Sequence, residues 1–201
     1  MMRRFLILIF AFLAVPTVAS AQTSPDAARE FVKDLSAQAV VVLSDQSMSL
    51  EAREARMRDI VAENVDFRTI GRFVLGDAWK DASNAERDEY LALFRAFLLE
   101  TYARRFGGYS GQTLRIEEAK PHGEGNAVVQ TTILQDGGED IRVVWLVATV
   151  EGALKIRDIV LNGKSMALTQ RSDFATIVRR EQIGGLLQLL RLRVSKFSAQ
   201  S

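Results

Sequence analysis

Ile141-Arg142-Val143-Val144-Trp145-Leu146-Val147-Ala148-Thr149-Val150 is the stretch that decides how the rest of the chain is read. Strand alternation puts Ile141, Val143, Trp145 and Val147 on one face and Val144, Leu146, Ala148 and Val150 on the other. Arg142 alone among these positions is charged. A strand apolar on both faces has to be covered on both, by helices, by a partner or by a ligand.

Working outward, Leu114/Ile116, Val129/Thr131/Ile133 and residues 154–161 repeat the two-residue period, and residues 123–125, Asp136-Gly137-Gly138 and Glu151-Gly152 supply the turns. Four strands joined by short turns form an antiparallel meander. Upstream the period is helical. Ser24-Pro25 opens a helix over 25–43, Ser49 a second over 50–61, and a third spans 67–75 with Gly76 as its stop. The capping box Ser83-Asn84-Ala85-Glu86 starts a long helix with the stripe Tyr90, Phe94, Phe97, Leu98, Thr101, Tyr102 and Phe106, ended by Gly107-Gly108. After Asn162-Gly163 the chain returns to helix over 166–180 and 183–196. Helices, four antiparallel strands and helices make an α+β domain.

The N-terminus carries Arg3 and Arg4, an apolar run over 5–15, and Ala19-Ser20-Ala21 before Gln22, the three regions of a secretory signal with cleavage after Ala21. The alternative is a membrane anchor, but the uncharged stretch is broken by Pro16 and falls short of the ~20 apolar residues a spanning helix needs. There are 0 cysteines, hence no disulfide and no thiol for lipid attachment, and the mature chain is expected to be exported and released. Removing residues 1–21 takes two arginines and no acids, changing the formal charge from +1 to −1. That balance gives no argument for nucleic acid. Residues 22–201, undivided by any linker or repeat, suffice for a single domain.

Catalytic chemistry finds little foothold. His122, the 1 histidine, lies between Pro121 and Gly123 in an expected turn, and with no cysteine the familiar zinc and Cys-His sites are excluded. The cluster Gly107-Gly108-Tyr109-Ser110-Gly111 follows a helix and precedes a strand, the reverse of a phosphate-cradling loop. Carboxylates alternate with arginines, as in Glu51-Ala52-Arg53-Glu54-Ala55-Arg56, which is surface patterning. A glycosidase-like carboxylate pair would come together only in the fold.

Phe67, Phe73, Trp79, Phe94, Phe97, Tyr102 and Trp145 are either core or the lining of an apolar pocket. The last helix joins Leu186, Leu187, Leu189, Leu190 and Val194 to Arg191, Arg193 and Lys196. Its leucines either pack on the domain or make transient contact with a membrane or an acidic partner.

Taken in order, several stretches resemble the MlaC family of periplasmic phospholipid-binding proteins, also called toluene-tolerance proteins or auxiliary components of a lipid ABC transporter. Asp66-Phe67 followed by Leu75-Gly76-Asp77-Ala78-Trp79-Lys80 is similar to the family's phenylalanine and L-G-x-x-W-(R/K), and Tyr90 to Tyr102 resembles its long helix with a T-Y pair. Residues 155–165, Lys-Ile-Arg-Asp-Ile-Val-Leu-Asn-Gly-Lys-Ser, resemble its K-V-x-D-(I/V)-x-(V/I)-x-G-x-S, and Gln170-Arg171-Ser172-Asp173-Phe174 its (Y/Q)-R-x-x-F. Leu154 stands where tryptophan is usual and Trp145 where tyrosine is common, which bears on cavity shape.

The resemblance implies a non-catalytic carrier with no cofactor. It would hold phospholipid as cargo and pass it between an outer-membrane lipoprotein complex and an inner-membrane ABC transporter complex. A hopanoid or other apolar-lipid carrier of the same fold, or a periplasmic adaptor, are the alternatives. The expected lipid site has the long helix and the Trp145 face as opposite walls, with Phe67, Phe73, Leu75, Trp79, Phe94, Phe97, Leu98, Tyr102, Trp145, Val147, Val160, Met166 and Phe174 as lipid-binding residues.

Overall fold

The computed structural model describes residues 22–103, 111–135 and 137–198. The expected signal segment 1–21 with its cleavage after Ala21, Phe106 and the helix stop Gly107-Gly108 lie outside the described residues.

Helix starts follow their local caps. In α1 (Pro25–Ser44) and α2 (Leu50–Asn64) the Ser24 and Ser49 hydroxyls accept the backbone N–H of Ala27 and Ala52. In α3 (Phe67–Leu75) Asp66 accepts from Thr69, and Gly76 closes the helix at φ 63°, a conformation that favours glycine. Trp79 belongs to a four-residue helix, α4 (Ala78–Asp81), that its sequence does not announce. Arg87 holds its end by donating to the Trp79 and Lys80 carbonyls. The capping box preceding α5 (Asn84–Ala103) forms reciprocally, Ser83 N–H to the Glu86 carboxylate at 2.9 Å and Glu86 N–H to the Ser83 hydroxyl at 3.3 Å.

The sheet runs β1 (Thr113–His122), β2 (Asn126–Leu134), β3 (Ile141–Val150), β4 (Ala153–Leu161) and β5 (Lys164–Ser165), in the order β1-β2-β3-β4-β5 with every pair antiparallel. The expected meander is present with a fifth, two-residue strand, because Asn162 at φ 46° and Gly163 at φ 82° fold the chain back on Leu161. His122, expected in the turn, is the last residue of β1 opposite Asn126. The free edge of β4 is blunted twice, by β5 and by a parallel bridge from Val65 to Ile156.

Two bulges set the faces. Glu117 is the extra residue in β1, and Arg157 the extra residue in β4, between the pairs Leu146–Asp158 and Val147–Ile156. Three residues apart, Ile156 and Ile159 would point to opposite sides of a regular strand; the bulge turns both toward the Val147–Trp145 face. Val160 consequently pairs with Val144 on the opposite face.

Helix α1 lies on the inner face, with Ala28 and Val32 fully buried against Ala127, Val129 and Val147. Its lower half joins Leu35 to Met57 and Ile60 of α2 and Ile156 of β4. A larger cluster joins α3 and α5 to α6 (Met166–Ser198) through Tyr90, Phe94, Phe174, Leu186, Leu187 and Leu190. As the sequence suggested, α6 is two helices, broken at Gln182 with φ 56° and ψ −170°. Ahead of α1, Thr23 is buried: its N–H donates to Gly125 O at 3.2 Å and its hydroxyl accepts from Thr149 N at 2.8 Å.

Candidate functional site

Between the inner face of the sheet and the helices lies a cavity of about 510 Å³, within the range of small-molecule sites. Each element gives it one stripe. On α1 these are Leu35, Ala39 and Leu43, successive turns of one face; on α2, Met57, Ile60 and Val61; on α3, Phe67, Ile70 and Val74; on α5, Phe94, Leu98 and Tyr102. The sheet contributes Ile141, Val143 and Trp145 from β3, and Ile156, Ile159 and Leu161 from β4. Met166, Ala167 and Gln170 close the wall from α6.

Three polar side chains of this wall, Trp145, Arg157 and Asp158, are held by partners within the protein. The Trp145 indole N–H donates to Thr131 Oγ1 at 2.9 Å, and that hydroxyl donates to Val143 O at 3.3 Å, so the ring presents carbon to the cavity. Arg157 donates through Nε to Asp66 Oδ2 at 3.0 Å and through Nη1 to Asn126 Oδ1 at 3.3 Å. Burial works to raise the Asp66 pKa, but hydrogen bonds from Thr69 and the Arg157 guanidinium outweigh it and hold the carboxyl below the usual range. Asp158 accepts from Ser165 Oγ at 2.5 Å and from Ala167 N at 3.1 Å, while Ser165 Oγ caps Leu168 N at 3.0 Å. The Asp158…Gly163-x-Ser165 spacing is thus the clamp that turns β4 into the start of α6.

Of the thirteen residues expected to bind lipid, Phe67, Phe94, Leu98, Tyr102, Trp145 and Met166 line the cavity. The others lie elsewhere. Leu75, Phe97 and Phe174 pack in the α3–α5–α6 core, with Phe174 3% exposed and its ring 6.2 Å from that of Phe97. Val147 is fully buried under α1, and Val160 is on the far face of the sheet. Phe73 is 40% exposed beneath the Arg171 guanidinium, 4.9 Å from its ring centre. Trp79 has the Arg72 and Arg87 guanidinium groups 5.9 and 5.4 Å from its ring centre. The L-G-x-x-W and R-x-x-F motifs therefore build the α3–α4–α6 corner, where Arg171 also closes over Gly76.

The α1 and α2 walls are absent from the thirteen expected residues. Their signal was present as Leu35, Ala39 and Leu43 at four-residue spacing, but small and aliphatic residues stand out less than rings. The leucines of the last helix, Leu186, Leu187 and Leu190, are core, and Arg191 pairs with Glu89 at 2.6 Å. Among the described residues no cluster of three or more His, Cys, Asp or Glu could hold a metal, and no helix is long and apolar enough to cross a membrane.

Comparison with known proteins agrees with this architecture. The family described as MlaC protein matches residues 33–192. The intermembrane phospholipid transport system binding protein MlaC of Haemophilus influenzae is 25% identical over 203 residues, spanning 96% of this chain and 93% of that one. A phospholipid-binding protein from Ralstonia solanacearum, solved in complex with a phospholipid, shares the fold with a TM-score of 0.73 at 20% identity, over 85% of this chain and 98% of that one. Matched across most of its length and built around the same fold, the chain belongs to the MlaC protein family.

Proposed function

We propose that the mature chain, residues 22–201, is a non-catalytic periplasmic phospholipid carrier that shuttles lipid between outer- and inner-membrane complexes of an ABC-type transport system. The observation that carries this reading is the largely carbon-lined cavity of about 510 Å³, where Trp145, Arg157 and Asp158 give their polar atoms to partners within the protein. Such a wall offers acyl chains what a bilayer interior offers them. At ~0.8 kcal/mol per buried methylene, two tails of roughly fourteen methylenes cost on the order of 20 kcal/mol to expose to water. Free passage through the aqueous gap is closed at that cost, and enclosure removes it. Because cavity and bilayer are similarly apolar, the carrier does not set direction; that falls to the complexes it visits. The family membership and the named phospholipid partners of the two relatives support the same cargo.

Native mass spectrometry of the exported protein tests this. Wild type is expected to carry phospholipid, and Val143→Trp, which fills the cavity from β3, is expected to lose it while keeping a native circular-dichroism spectrum. Protein isolated without lipid, or an unchanged lipid load in the folded variant, defeats the proposal. A polycyclic lipid in the spectrum would replace the cargo and keep the carrier.

A further inference from the structure

The outer flank of α3 and α5 is organised around arginines laid on aromatic rings. Arg72 and Arg87 share the Trp79 ring, and Arg95 lies over Phe67 at 5.7 Å. Contacts of Arg95 with Phe67 at the start of α3, and of Arg87 with Trp79 just beyond its end, make the two helices antiparallel. Arg68 and Arg72 stand one turn apart on α3, and Arg87 and Arg95 two turns apart on α5, roughly 12 Å. Arg68, Arg72 and Arg95 are exposed.

Their charge is not neutralised locally. Among the described residues none of these three arginines forms an ion pair, and nearby acids are committed elsewhere, Asp77 to Lys80 and Glu100 to Arg58. Asp88, seven residues before Arg95 on α5, and Asp81, two residues after Trp79, are exposed and form no ion pair among the described residues, and Arg68, Arg72, Arg87 and Arg95 outnumber them, leaving the strip net positive. A guanidinium stacked on a ring keeps its N–H edge free for a second partner, and its planar fork matches phosphate. Arg87 adds charge, although its N–H groups are spent on the Trp79 and Lys80 carbonyls.

We infer that Arg68, Arg72 and Arg95 form a docking strip for an anionic phospholipid surface. The seam between the helices is closed, since a Cβ added at Gly71 would come within 2.9 Å of Leu91 and 3.0 Å of Phe94. A plane of phosphates meets guanidinium groups spread over two adjoining helices. None of the three arginines lines the cavity, although Arg95 rests on Phe67, which does.

Vesicle flotation at low salt tests it, comparing phosphatidylcholine vesicles with vesicles that also contain phosphatidylglycerol. The full-length mature protein is expected to bind the anionic vesicles only and to release them as salt is raised. At about fivefold per arginine, Arg68→Gln/Arg72→Gln/Arg95→Gln lowers that affinity about a hundredfold. Arg142→Gln/Arg179→Gln/Arg180→Gln, the same charge change elsewhere, leaves it within a few-fold. Failure of the wild type to prefer anionic vesicles, or equal losses in the two triple variants, overturns the strip; so does retention of poly-glutamate beads by a protein that ignores the vesicles, which would assign it to an acidic protein instead. Loss of cavity lipid from wild type with vesicle binding intact would sink the carrier reading and leave the strip standing.

Discussion

The Thr131 hydroxyl accepts the Trp145 indole N–H at 2.9 Å, across the β2–β3 pair and beneath the cavity floor. Thr131 is 1% exposed, which shields the acceptor from bulk water. Thr131→Val keeps the shape and removes the acceptor, and is expected to cost about 1–3 kcal/mol, the penalty of a buried donor left unpaired. Adding Trp145→Phe removes the orphaned donor, so the double variant should lose less than the sum of the singles in urea titrations.

The bulge at Arg157 makes a sharp contrast between adjacent residues. Ile159→Asn places an amide in the cavity wall and is expected to lower both stability and lipid load, by about 2 kcal/mol or more in the first case. Val160→Asn lies on the other face, half-buried, and should cost about 1 kcal/mol or less with lipid load unchanged. Equal effects would mean that β4 pairs without the extra residue.

Asp66 gives the fold an acid-sensitive joint between α2, α3 and β4. Its carboxyl is held below the usual range despite burial, so the folded state binds its proton less readily than the unfolded chain. The associated stability is complete above the unfolded value of about 3.9 and is lost as pH falls through the lower folded value. Urea midpoints measured from neutral pH downward should fall below about pH 4, and Asp66→Asn should start lower at neutral pH with a shallower acid decline.

Gln182 occupies a region of backbone space that side chains rarely tolerate, at φ 56° and ψ −170°. Glycine adopts it without strain, so Gln182→Gly is expected to raise stability by about 1 kcal/mol after the extra freedom of the unfolded chain is counted. Gln182→Ala should not. Thermal unfolding of the two variants decides between strain relief and a mere change of side chain.

What the sequence made legible was local. Ser24, Ser49, Asp66 and the Ser83–Glu86 box cap their helices with side chains a few residues away, and the turn glycines sit where the strands reverse. The α5 stripe of Phe94, Leu98 and Tyr102 was readable for the same reason. Facing was harder. Counted in alternate residues from Ile156, Val160 would share the cavity face, and one bulged residue inverts that count. Phe73 and Trp79 were grouped with the lining because rings suggest burial, yet on a nine-residue helix Phe67, Ile70 and Val74 already fill the inward face and Phe73 is turned out. Which apolar residue meets a cavity and which meets another helix is settled by tertiary packing, which periodicity does not encode.

Thr23 fastens the beginning of the described chain to Gly125 and Thr149, at the end of the sheet remote from Leu114, Ile133 and Ile141. In the proposed mature chain, beginning at Gln22, a label or affinity handle appended at that end would therefore start from a point clear of the cavity-lining end of the strands. That makes this terminus the natural place for a fluorophore reporting on the carrier's encounters while its interior is left undisturbed.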